Sequence, residues 1–181
     1  HFPATKNAAK KIHQMGESIN AITLAGAPAL DGILSKKRSK EKSFLRLASK
    51  FKIDLSDEII LITFHPVTID IDNEMDNLDT IFEALSKFKN KLVFTSPGAD
   101  PKYKVIMDKI QDFINKNKNA IFVNSFGEEY YYDILNVSKL MFGNSSSGII
   151  EAASLNLPVV NVGKRQLGRE TSENVIHSSI N

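Results

Sequence analysis

Residues 141–152 read MFGNSSSGIIEA, with Ser145, Ser146 and Ser147 in a row between an asparagine and Gly148, and Glu151 four residues past the last serine. Lying after a strand and opening a helix, such a run aims backbone N–H groups and up to three hydroxyls at one point. A helix macrodipole adds about half a positive charge there. The chemistry this suits is anion binding, above all of phosphate, because small side chains let a ligand approach the backbone closely. The same residues also suit a helix N-cap with no ligand at all. Three serines plus Gly148 are more than a cap needs, which favours phosphate. No Lys-Ser/Thr pair follows the glycine, so the loop is not a Walker A sequence.

Three further residues could act beside it. Glu151 is placed to accept hydrogen bonds from a ribose diol, a device of dinucleotide sites, or to serve as a first-turn acid favoured by the dipole. Spacing does not separate the two. Arg165, in the stretch GKRQLGRE (163–170) with Arg169, carries a guanidinium fork that matches phosphate oxygens, although surface arginines commonly do nothing specific. His65 ends an apolar run and precedes Pro66, which holds it extended; at such a place a histidine belongs to a site as readily as to the scaffold.

The elements that must position these residues alternate regularly from Asp57 onward. EIILITF (58–64), KLVFT (91–95), AIFV (120–123), KLMF (139–142) and PVVNV (158–162) are short apolar runs, as buried parallel strands should be. Between them, Leu78, Ile81, Phe82, Leu85 and Phe88 share one helical face. Tyr103, Ile106, Ile110, Phe113 and Ile114 share another in a helix that Pro101 opens. Helices are also expected around EEYYYDIL and from the serines onward. Strand and helix in alternation predict an α/β fold, a parallel sheet with helices on both faces. Ligands of such sheets sit beyond the strands' carboxyl ends, here the loops at 65–67, 96–100, 124–127, 144–148 and 163–169.

Residues 1–42 are organised differently. TKNAAKKIHQMGE reads as a helix ended by Gly16, AITLAG as a strand and ALDGILSKK as a short helix, too little to enclose a core. They predict the tail of a preceding domain, with the basic stretch SKKRSKEK (35–42) as linker or solvated helix start and a nucleotide-binding domain over 43–181. Both ends read as truncated.

With 42% hydrophobic and 24% charged residues, the 181-residue chain is of ordinary globular composition, and its net charge of +2 argues for neither nucleic acid nor an acidic membrane as a partner. No apolar run approaches the ~20 residues that span a bilayer. Zero cysteines exclude disulfides and thiol chemistry and fit a cytoplasmic protein. No cluster of His and acids has metal spacing, and neither metal nor cofactor is expected.

FGNSSSGIIEAASLNLPVVNVGKRQLGRETSENVI, with LITFHP upstream, resembles the hydrolysing UDP-N-acetylglucosamine 2-epimerases of sialic and related nonulosonic acid synthesis. HFPATKNAAKKIHQMGE and AGAPALDGIL resemble the segments that end that family's first domain. The resemblance covers nearly the whole chain. It implies a two-domain GT-B-like architecture, of which this chain holds the C-terminal, Rossmann-like half and the end of the N-terminal one.

It further implies that Ser145 and Ser146, with Ser147 adjacent, hold the UDP diphosphate, that Glu151 takes the ribose hydroxyls and that Arg165 contacts the phosphates. His65 matches the family's active-site histidine, and Phe126 falls where the family packs the uracil. Where the family often has Asn after the proline of the loop SPGAD, this chain has Gly98.

The implied reaction eliminates UDP across C1 and C2 of the sugar of UDP-N-acetylglucosamine and hydrates the glycal to N-acetylmannosamine, in a protein that is a homo-oligomer at full length. The family's acid and base carboxylates would precede His1, leaving this chain to bind nucleotide with little turnover. A GT-B glycosyltransferase, a non-catalytic UDP-binding module and a sugar-phosphate isomerase-type domain remain the alternatives.

Overall fold

The computed structural model describes residues 1–36, 38–54, 56–67 and 77–180; Lys37, within the basic stretch, and Asn181 lie outside the described residues. The chain forms two compact units, His1–Lys37 and Arg38–Asn181.

In the first unit, α1 (Lys6–Gln14) begins at Thr5, whose hydroxyl accepts the Ala8 N–H at 3.1 Å. It ends where Gly16 takes φ 103°, a conformation open to glycine. The expected strand AITLAG is corrected. A 3₁₀ turn covers Ile19–Ala21, and the residues after it make only two backbone bonds to the N-terminal segment, Thr23 N–H to His1 O and Ala25 N–H to Pro3 O. A strand exists only where a partner supplies a ladder, which propensity cannot report. A short helix, α2 (Ala29–Ser35), follows.

The second unit opens with α3 (Lys40–Ala48), capped by Ser39, so the basic stretch runs into a helix start. Its sheet has six strands: β1 (Ile59–Thr63), β2 (Lys91–Thr95), β3 (Ala120–Val123), β4 (Leu140–Gly143), β5 (Val159–Val162) and β6 (Val175–Ser178). The order is β3-β2-β1-β4-β5-β6 and all pairings are parallel. That is the order of Rossmann-type sheets. Sequence reading missed β6, whose residues are mostly exposed and supply only two apolar side chains.

The strands alternate between two cores. Ile60, Ile62, Leu92 and Phe94 pack with Leu78, Ile81, Phe82 and Leu85 of α4 (Leu78–Ser86) and with Ile106, Ile110 and Phe113 of α5 (Tyr103–Lys116). Ile59, Leu61, Val93, Met141 and Val159 pack with Leu47 of α3 and with Ile134, Leu135 and Val137 of α6 (Gly127–Val137). Because both faces of β1 are covered, all five of its residues are buried, and Ile59–Ile62 read as a continuous apolar run.

Three helix expectations are adjusted. Phe88 lies past the end of α4 and is 43% exposed. Pro101 stands in the turn ahead of α5, where Lys102 at φ 70° turns the chain in. The helix that follows the serines, α7, is only Ser147–Ile150, continued by a 3₁₀ turn over Ala152–Leu155.

Candidate functional site

β1 and β4 are neighbours in the sheet, yet the chain leaves β1 toward β2 and β3 before returning to β4. This is the point where strand order reverses, and the crevice beyond the carboxyl ends is the ligand position of open α/β sheets. His65 follows β1 and the serine loop follows β4, so the sheet brings together two motifs that lie far apart in the chain.

Asn144 joins them. Its Oδ1 accepts the His65 backbone N–H at 2.7 Å and its Nδ2 donates to the His65 carbonyl at 2.9 Å. One side-chain amide thus completes both backbone groups of His65, extending the ladder a residue beyond the strands. The Asn144 carbonyl in turn receives Arg165 Nη1 at 3.1 Å and Gln166 Nε2 at 2.8 Å, which ties the loop after β5 to the same point. Asn144 and Gln166 are 5% and 2% exposed. Sequence reading treated Asn144 as a cap candidate and passed over Gln166. The available signal was the position of each beside a singled-out residue.

The serine loop separates capping from spare capacity. Ser145 Oγ accepts the Ser147 N–H at 3.3 Å, which is the local turn a cap supplies. Among the described residues, no hydrogen bond is made by the N–H of Ser145 or Ser146. Ser147 Oγ and Glu151 Oε2 are buried without a hydrogen-bond partner. Buried polar atoms are rarely left so unless something else satisfies them. A four-residue helix carries little macrodipole, so the helix-dipole argument for an anion loses weight, and the donors without a partner here are the Ser145 and Ser146 N–H groups and the Ser147 hydroxyl.

The charges follow from the surroundings. Burial pushes the Glu151 carboxyl above its ordinary value of 4.5; the Ser147 hydroxyl opposes this from nearby, without the geometry of a full hydrogen bond. Tyr131 of α6 is pushed up to about 12 by burial, with the Glu151 charge adding and the same hydroxyl opposing. His65 is pushed down by burial and then by Arg165, against the pull of Asp100. Burial also pushes down the Arg165 guanidinium, with Asp100 opposing and Arg169 adding. Phe126, at the start of α6, has its ring in the core, 4% exposed and 4.7 Å from the Phe51 ring centroid. No group of three or more His, Asp or Glu among the described residues could hold a metal ion, and no described helix is long and apolar enough to cross a membrane.

One stability prediction follows from Glu151. Its folded-state pKa is raised, so between the unfolded and the folded values the native chain holds a proton that the unfolded chain has lost. Stability should then fall as pH rises above 4.5. Glu151→Gln is expected to remove that slope and to exceed the native chain in stability at neutral pH. Urea midpoints between about pH 4 and pH 7 check this, and parallel profiles for the two chains would contradict it.

Solved structures place the fold first. A UDP-GlcNAc 2-epimerase of Methanocaldococcus jannaschii in complex with UDP-GlcNAc and UDP matches with a TM-score of 0.70 over 99% of this chain and 50% of its own, at 18% identity. The Neisseria meningitidis enzyme bound to UDP-GlcNAc matches at 0.59 over 97% and 47%, at 17% identity. The class is therefore the α/β half of a GT-B-type protein.

Sequence comparison then gives the family. The profile described as UDP-N-acetylglucosamine 2-epimerase matches residues 1–180, and the chain belongs to that family. A GDP/UDP-N,N'-diacetylbacillosamine 2-epimerase (hydrolyzing) of Campylobacter jejuni is 33% identical over 183 residues, covering all of this chain and 47% of its own length. A UDP-N,N'-diacetylbacillosamine 2-epimerase (hydrolyzing) of Legionella pneumophila is 35% identical over 176 residues, covering 97% and 46%. The chain spans about half the length of the curated relatives it matches.

Proposed function

We propose that this chain is the UDP-binding half of a hydrolysing UDP-sugar 2-epimerase. The observation that carries the reading is the set of unsatisfied groups after β4: two free N–H groups, the buried Ser147 Oγ and the buried Glu151 Oε2, with Arg165 tied to the same loop. In this reading Ser145 and Ser146 hold the diphosphate with backbone N–H and hydroxyl, with Ser147 adjacent. Glu151 accepts the ribose hydroxyls, and Arg165 and His65 donate to phosphate oxygens. Loss of UDP across C1 and C2 leaves negative charge on the departing diphosphate, and donors fixed in advance stabilise that charge as it develops. Hydration of the glycal completes the conversion of UDP-N-acetylglucosamine to UDP and N-acetylmannosamine. The proton at C2 requires a base, which we assign to the full-length protein, working as a cytoplasmic homo-oligomer.

A second sugar has a specific observation in its favour. The 33% and 35% identical relatives are diacetylbacillosamine 2-epimerases, whereas the UDP-N-acetylglucosamine 2-epimerase of Neisseria meningitidis is 28% identical. The nucleotide seat serves either sugar, since both leave UDP.

Calorimetric titration with UDP, GDP and UMP tests the seat. UDP should bind, and Arg165→Ala should weaken it by about ten- to a hundredfold, as loss of a charge-assisted phosphate contact does. Ser146→Ala should weaken it by less, because the backbone donor survives. UDP release by the full-length protein from each of the two UDP-sugars decides the substrate. Release from neither, or transfer of the sugar to an acceptor with no free product, would overturn the epimerase reading.

A further inference from the structure

The loop after β2 touches His65 at the one atom that decides what a histidine can do. Gly98 N–H donates to His65 Nδ1 at 2.8 Å. A backbone N–H has a single role: unlike a hydroxyl, it cannot turn to accept. While this bond stands, Nδ1 must present a lone pair, and the proton of the neutral ring must be on Nε2. Protonating Nδ1 would set two donors against each other and leave a half-buried amide unpaired.

The ring has little freedom to escape this arrangement. Asn144 holds both backbone groups of His65, and Pro66 follows it. The loop is fitted just as closely, because a Cβ on Gly98 would stand 3.3 Å from His65 Nδ1 and 3.1 Å from Asp100 Oδ2. Any larger residue at position 98 presses on the histidine.

We propose that the Gly98 backbone N–H fixes His65 as the neutral Nε2–H tautomer, so that His65 serves the site as a hydrogen-bond donor to a ligand oxygen and not as a base. Gly98 and Asn144 are then positioning residues. The charges that act on the ring are Arg165, from the loop after β5, which disfavours a second positive charge, and Asp100, from the loop after β2, which favours one; burial sides with Arg165. The identity of the ligand oxygen, a diphosphate oxygen of UDP, rests on the function proposed above. The tautomer does not.

The first measurement therefore uses no nucleotide. In the protein labelled with ¹⁵N in its histidine rings, with His65→Gln for assignment, the His65 spectrum at neutral pH should show an unprotonated Nδ1 and a protonated Nε2. On acidification it should charge below the range of free histidine. A protonated Nδ1, averaged tautomers or a cationic ring at neutral pH would overturn the proposal.

The second measurement reads the donor. Glutamine places its amide N–H₂ near the Nε2 position, whereas asparagine reaches only as far as Nδ1. His65→Gln should retain UDP affinity within about threefold, and His65→Asn should lose about tenfold or more. Asparagine equal to glutamine would overturn the donor role. If UDP fails to bind the unaltered protein, the nucleotide reading fails while the spectrum still decides the tautomer.

Discussion

Asp133→Ala is expected to lower the unfolding free energy by about 3–5 kcal/mol. The Asp133 carboxylate, on α6, is 0% exposed and is the shared acceptor between two helices. Arg38 Nη1 donates to both oxygens at 3.1 Å, Arg46 Nε to Oδ2 at 2.8 Å and Ser43 Oγ to Oδ1 at 2.8 Å. Truncation would leave the two guanidiniums facing one cavity with this anion gone, and a buried hydroxyl without its acceptor. Removing the acid costs more than the intact group contributes, because the buried Ser43 hydroxyl and the partly buried Arg38 lose an acceptor, whereas Arg46, 36% exposed, can turn to water.

The same reasoning predicts that apolar replacement of the acid and an arginine together, Asp133→Leu with Arg46→Met, recovers part of the loss. Glu129 on the rim, which meets Arg46 Nη2 at 2.9 Å, gives the contrast: as an exposed ion pair, it should cost under about 1 kcal/mol when removed. Urea unfolding measures all three. A loss of less than about 1 kcal/mol for Asp133→Ala would show that solvent reaches the cluster.

Gly143→Ala is expected to cost a similar amount, about 3–5 kcal/mol, and to weaken UDP binding in the molecules that remain folded. Gly143 ends β4 at φ 130°, paired with Thr63 of β1, and an added Cβ would lie 2.1 Å from the Thr63 carbonyl oxygen. Both obstacles are backbone, so no rotamer change relieves them. The strands would have to part at the point where Asn144 N–H bonds the same Thr63 oxygen and the Asn144 side chain begins its hold on His65.

Gly148 marks the difference between a hard and a soft contact. Its added Cβ would meet Val159 Cγ1 at 2.8 Å, a side chain that can shift, so Gly148→Ala should cost about 1–2 kcal/mol. Val159→Ala should relieve part of that strain and none of the Gly143 defect. Unfolding curves with UDP titration of each variant check both, and a Gly143→Ala protein of native stability would contradict the backbone clash.

The parts of this protein legible in its sequence are those that periodicity encodes. Residues 59–62 are apolar without a break because both faces of β1 are covered, and Ile106, Ile110 and Phe113 recur at helical spacing because one side of α5 is buried. The serine run and Arg165 suggest phosphate by residue type, and Glu151 suggests a ribose hydroxyl or a first-turn acid, as expectations that residue type alone supplies.

Tertiary structure decided what depends on partners. AITLAG has strand composition but no ladder, and β6 has a ladder but hardly any strand composition; pairing is a property of neighbours. The strand order set His65 and the serine loop on adjacent strands at the reversal point, although 79 residues separate His65 from the Asn144 that holds it. Whether a serine caps a turn or stands free, and which nitrogen of His65 bears its proton, turned on single hydrogen bonds from Ser147 and Gly98. Hydrogen bonds join atoms close in space, and local sequence pattern does not specify which distant atoms the fold will bring within about 3 Å.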